Sequence, residues 1–196
     1  MNKILYGVLI TSFLISCGDN KGERSKSEET NDQAAAPIVI TDPLKVSLNA
    51  IIPKDDTIEV YYRFDPKANF ESMYVVNAPV KGQDSAQNVV FDLPTDKKIY
   101  DFRIDFGSNK EQSDIQIKNF NMQYKGNSFN VKDTLFFQYF WNNEFIDYTR
   151  NKAIAKPKSV NGNYDPIFMP RETFSFEIDK LFNPIPAGNQ AQTTTK

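Results

Sequence analysis

From residue 58 to residue 65 apolar and polar side chains alternate without a break. Ile58, Val60, Tyr62 and Phe64 fall in one phase, and Glu59, Tyr61, Arg63 and Asp65 in the other. A period of two sends successive side chains to opposite faces of an extended strand and is incompatible with an amphipathic helix over the same residues. The pattern recurs in Val89, Phe91 and Leu93, in Tyr100, Phe102, Ile104 and Phe106, and in Phe174, Phe176 and Ile178. Short half-buried strands separated by Pro, Gly, Asn and Asp predict an all-β fold, an antiparallel β-sandwich. Ile115 and Ile117 hold one phase while Phe120, Met122 and Tyr124 hold the other, so one extra residue near Lys118 or Asn119, a β-bulge, would bring both sets to one face. Lys125-Gly126-Asn127 then reads as the turn of a hairpin returning through Phe129 and Val131.

The aromatic stretch DTLFFQYFWNNEF, residues 133–145, fits two periods. As a strand it sets Leu135, Phe137, Tyr139 and Trp141 on one side. As a helix, Asp133 caps it and Phe136, Tyr139 and Phe140 share a face. A strand this aromatic on both faces would have to be covered twice, which favours one short helix stopped near Asn142-Asn143. Trp141 is expected in the core with most of the other rings.

The ends of the chain differ from this middle. An apolar run of about a dozen residues follows Lys3, short of the roughly 20 needed to span a bilayer, and has the form of a secretory signal. It ends in Leu14-Ile15-Ser16-Cys17, which resembles the bacterial lipobox, in which the Cys is lipidated and becomes the new N-terminus. The resemblance implies a signal peptide over residues 1–16, palmitate-type acylation at Cys17, and several acyl chains that make a stable membrane anchor. Gly18 stands where an inner-membrane retention signal has Asp, so the expected address is the outer membrane, with the leaflet left open. Residues 17–36 are polar and charged and read as the lipidated Cys plus a flexible tether with an r.m.s. reach of roughly 25 Å. The sandwich domain is expected over 37–182, and 183–196 as a disordered tail.

Composition then limits the chemistry. The chain has no histidine and a single cysteine, committed to lipid on this reading. Imidazole bases, Ser-His-Asp and Cys-His pairs, and metal sites built on His or Cys are therefore unavailable. Neither phosphate-loop nor dinucleotide fingerprints occur. With 23 basic against 25 acidic residues and no basic run, nucleic acid is not an expected partner. No cofactor, metal ligand or catalytic residue is assigned. A carboxylate-dependent glycosidase is the main enzyme class left open, but Asp101 and Asp105 lie roughly 13 Å apart along one strand and read as a solvated face balanced by Arg103. Ser159 with Lys156 or Lys158 is a chance-level pairing, and Asn161 to Asp165 reads as a plain turn in preference to a calcium loop.

Residues 89–124 contain an FxLP strand, the strand end Arg103-Ile104-Asp105-Phe106-Gly107, and the strand IQIKNF. With the later YFWNNEF and NYDPIFMP, this layout resembles bacterial extracytoplasmic β-sandwich segments and is similar to jelly-roll, galactose-binding-like modules. That pattern often has Pro where this chain has Phe106. The resemblance implies a jelly-roll-like fold and carries over no catalytic residue. The resulting expectation is a non-catalytic, lipid-anchored envelope module that binds a glycan or an envelope protein. A structural or assembly lipoprotein acting through protein contacts is the alternative. Tyr61 is an aromatic on a polar phase. If the strands bearing Glu59, Tyr61 and Arg63 and Asp101, Arg103 and Asp105 share a sheet, the six form one patch, in which Tyr61, Arg63, Asp101 and Arg103 are the candidate ligand-binding residues.

Overall fold

The computed structural model describes residues 42–184. The signal peptide, Cys17 and the tether lie outside the described residues, as does the tail apart from Asn183 and Pro184. Asn183 closes the last helix by donating its backbone N–H to Asp179 O at 2.8 Å.

Among the described residues eleven strands form two antiparallel sheets, as the alternation predicts. The first holds β1 (Leu44–Ile52), β4 (Gln83–Leu93), β6 (Ile115–Tyr124), β7 (Asn127–Lys132), β9 (Ile146–Thr149) and β10 (Ile154–Pro157), in the order β4-β1-β6-β10-β9 with β7 also paired to β6. The second runs β3-β2-β5-β11-β8, built from β2 (Asp56–Arg63), β3 (Val75–Val80), β5 (Asp101–Asp105), β8 (Phe140–Asn142) and β11 (Ile167–Pro170). Consecutive strands take equivalent places in the two sheets: β1 with β2, β4 with β3, β6 with β5, β10 with β11, β9 with β8. The chain thus winds as a ribbon across the sandwich, in the jelly-roll-like manner.

The apolar phases meet between the sheets. Leu44, Val46, Leu48 and Ala50 of β1 and Ile58 and Val60 of β2 are essentially inaccessible. Phe102, Phe120, Phe140 and Phe174 make a continuous ring cluster, with the Phe102 and Phe174 centroids 4.8 Å apart edge to face. Such geometry adds to the burial energy of each ring. The bulge is at Lys118, since Asn49 faces Asn119 while Ala50 faces Ile117. That extra residue puts Ile115, Ile117, Phe120 and Met122 all in the core. Lys125 (φ 45°) and Gly126 (φ 83°) form the two-residue hairpin turn joining β6 to β7, with the left-handed backbone such turns require.

Three expectations are corrected. Residues Phe174, Phe176 and Ile178 belong to a helix, α2 (Glu172–Phe182), not a strand. Phe174, Ile178 and Leu181 share its buried side, and Phe176 is turned out, 60% exposed. The spacings i, i+4 and i+7 fit one helical face as well as i and i+4 fit one strand face, and three residues did not separate the two. The stretch 133–145 does contain a short helix, α1 (Phe136–Tyr139), after a single 3-10 turn over Asp133–Leu135. Asp133, however, has φ 45° and makes no side-chain cap, and the helix stops at Tyr139, three residues before Asn142. Trp141 then lies on β8 and is 44% exposed, outside the core. Phe136 stacks on Phe140 at 4.7 Å and both are fully buried, so the inward positions of this stretch are already filled.

Candidate functional site

β2 and β5 are neighbours in the second sheet, with Glu59 opposite Asp105, Tyr61 opposite Arg103 and Arg63 opposite Asp101. Their alternate residues Val60, Tyr62, Phe102 and Ile104 fill the core, so these six side chains share the outer face. The patch exists as a register of three cross-strand pairs.

Its members differ in how much bonding capacity remains. Arg63 grips Asp101 with a two-pronged fork, Nε to Oδ1 at 2.6 Å and Nη2 to Oδ2 at 2.8 Å, and its Nη1 donates to Ala68 O at 2.9 Å. Hydrogen bonding to Asp101 raises the Arg63 pKa further above its already high ordinary value. Arg103 makes a looser pair, Nη2 to Asp105 Oδ2 at 2.9 Å. Its Nε and the Asp105 Oδ1 are both buried without a hydrogen-bond partner among the described residues. The Arg103 guanidinium lies 4.4 Å from the centroid of Tyr61 and 5.5 Å from that of Phe70. Phe70 also lies 4.7 Å from the Arg63 guanidinium. Two cations are thus sandwiched among rings, an arrangement worth more as water is excluded.

Asp101 and Asp105 are not solvated, contrary to expectation. Asp101 is 5% and Asp105 7% exposed. β5 is a central strand, and the segment between β2 and β3 that carries Ala68 and Phe70 lies against the arginines that pair with these acids. Burial pushes the Asp105 carboxyl up to about 7, against the opposing pull of Arg103, with Asp165 and Glu59 adding like-charge repulsion. Tyr61 is partly buried, with Arg103 against its ring, and its hydroxyl is 3.5 Å from Glu59 Oε2. Burial, then Glu59, raises its pKa.

The register therefore brings Tyr61, Arg63, Asp101 and Arg103 together as expected, but it commits Arg63 and Asp101 to one another. Phe70 was not legible as a member, because one aromatic in a polar loop carries no period. Elsewhere the candidate dyad does not form: Lys156 pairs with Asp114 at 3.1 Å and Lys158 with Asp147 at 2.6 Å. Asn161 (φ 51°) and Gly162 (φ 80°) sit in a tight turn closed by Val160 and Asn163. Among the described residues no group of three or more Cys, Asp or Glu side chains is arranged to hold a metal ion. No protein-family model matches the chain, and no curated protein or solved structure matches it either.

Proposed function

We propose that this chain is a non-catalytic, lipid-anchored binding module of the bacterial cell envelope, held at the outer membrane through Cys17 and taking a glycan on the outer face of β2 and β5. The observation that carries this reading is the register that sets Tyr61 and Arg103 side by side with buried carboxylates in reach. An aromatic ring, a guanidinium fork with unused donors and a carboxylate acceptor are the groups that hold a polyhydroxylated ring. Hydrogen bonds to charged groups are typically worth about 1.5–3 kcal/mol, so Arg103→Ala should weaken saccharide binding roughly 10- to 150-fold in calorimetric titration with glycan-array hits. Binding unchanged in both Tyr61→Ala and Arg103→Ala removes this face as the site.

The anchor has its own test. Cys17→Ala should leave the protein in the soluble fraction and abolish its labelling by a metabolically supplied fatty acid, whereas an unlabelled wild type would refute the lipoprotein reading. The second function, a structural or assembly lipoprotein, is favoured by the closed Arg63–Asp101 fork, which supports the sheet and offers little to a ligand. A membrane protein that co-purifies stoichiometrically, with no saccharide bound, would put that reading in front.

A further inference from the structure

The register continues past Arg103. Phe168 of β11 faces Ile104, which brings Met169 level with Arg103, and Met169 in turn faces Trp141 of β8. Phe140 points into the core and Trp141 points out. One transverse row, Tyr61–Arg103–Met169–Trp141, therefore crosses the outer face of the second sheet, with its two aromatic ends three strand spacings, about 14 Å, apart. The ends are unequal. Arg103 already lies against the Tyr61 ring, while Trp141 keeps 44% of its surface exposed.

Within this row the Arg103–Asp105 pair leaves one donor, Nε–H, and one acceptor, Oδ1, buried and unmet among the described residues. The neighbouring Arg63–Asp101 pair uses both prongs. A hydroxyl group accepts from the first atom and donates to the second, whereas a carboxylate or phosphate has no proton for Oδ1. With Asp105 ionised, above a pH of about 7, three carboxylates (Glu59, Asp101 and Asp105) stand against Arg63 and Arg103, so the local charge also disfavours an anion. Phe70 lies 5.5 Å from the Arg103 guanidinium on a mostly exposed loop, and a hydroxyl reaches the two buried atoms only when the side chains covering them shift.

We propose that this face takes an extended, uncharged oligosaccharide along the row, with Trp141 stacking on one pyranose ring while Arg103 and Asp105 together hold a hydroxyl of another. The proposal rests on the glycan-binding reading above and adds the class of glycan and its second anchor. Trp141 lies two strand spacings, about 10 Å, from Arg103, too far for one sugar ring to touch both.

An array of neutral oligosaccharides printed beside their uronic-acid and sulfated counterparts tests the charge preference, and titration with the tightest neutral oligosaccharide and its constituent monosaccharide tests the span. Neutral chains are expected to bind in preference to charged ones and the chain more tightly than the monosaccharide. Trp141→Ala should weaken the chain roughly tenfold or more, as for an aromatic anchor, with the melting temperature unchanged and binding restored in part by Trp141→Tyr. A preference for anionic glycans, a monosaccharide as tight as the chain, or no effect of Trp141→Ala overturns this inference and leaves the glycan reading in place. No saccharide bound by the wild type overturns both.

Discussion

Gly107→Ala is expected to cost about 2–5 kcal/mol of folding stability, combining left-handed backbone strain with a steric conflict. Gly107 has φ 78°, and a Cβ built there falls 2.0 Å from Oδ1 of Asp56. Asp56 has little freedom to retreat. Its carboxylate accepts from the backbone N–H of Thr57 at 2.9 Å, Ser108 at 3.0 Å and Asn109 at 3.3 Å, and so ties the loop after β5 to the start of β2. In a domain of this size the loss corresponds to a fall in melting temperature of roughly 5–15 °C. Gly126→Ala is the control: its φ is 83° but nothing lies within 4 Å of the added carbon, so only the backbone strain of about 1 kcal/mol should appear. The double variant Asp56→Ala/Gly107→Ala should cost less than the sum of its parts, because removing the carboxylate removes the conflict. Equal losses for Gly107→Ala and Gly126→Ala would show that the carboxylate moves freely. The same glycine ends the Arg103-to-Gly107 motif, so the motif's last position serves a backbone cradle and leaves the chemistry to residues before it.

Stability should also fall as pH rises from about 4 to 7, and Asp105 should be the cause. Its carboxyl is raised from 3.8 in the unfolded chain to about 7 in the fold, chiefly by burial. Over that window the folded state binds the proton more strongly than the unfolded state, so unfolding releases it and the free energy of unfolding declines with pH. The stabilisation is complete below the unfolded value and lost once pH passes the folded value. Its full span is on the order of 4 kcal/mol. Asp105→Asn keeps a side-chain acceptor for Arg103 and removes the titration, so its denaturation midpoint should stay level where the wild type's declines. Parallel curves for the two proteins between pH 4 and 8 would place the buried proton elsewhere. Protonation also removes an acceptor from the proposed hydroxyl site, and since only the folded state binds, saccharide binding should weaken as pH falls through about 7.

The period-two strands were legible because each apolar side chain faces one core, and the bulge at Lys118 followed from the phase slip between Ile117 and Phe120. The six-residue patch was legible as two rows but not as a sheet. Only the pairing of β2 with β5, some 40 residues apart, sets Tyr61 beside Arg103. Burial of Asp101 and Asp105 was not legible, since a carboxylate on the polar phase reads as solvated unless a cover is known. Trp141 misled for the opposite reason. Aromatic size argues for the core, yet Phe136 and Phe140 already fill it, and the period around residue 140 changes from helix to strand within one turn. For Phe174 to Ile178 too few residues were counted, and the outward Phe176 is what separates the helix from a strand.

The winding of the chain also bears on how quickly it can fold. β1 lies between β4 and β6, and β2 between β3 and β5, so the strands synthesised first end up enclosed by partners made later. Lys45 pairs with Asp92 on one side and Gln123 on the other, so at about 5–20 residues per second the ribosome needs several seconds to supply the second partner of β1. Pairings this distant in sequence also close slowly, on the millisecond-to-second scale of all-β domains. During that interval the amino-terminal strands have no completed sheet to hold them, and on the export reading proposed above the nascent chain stays pliable enough to be threaded across a membrane before it can lock.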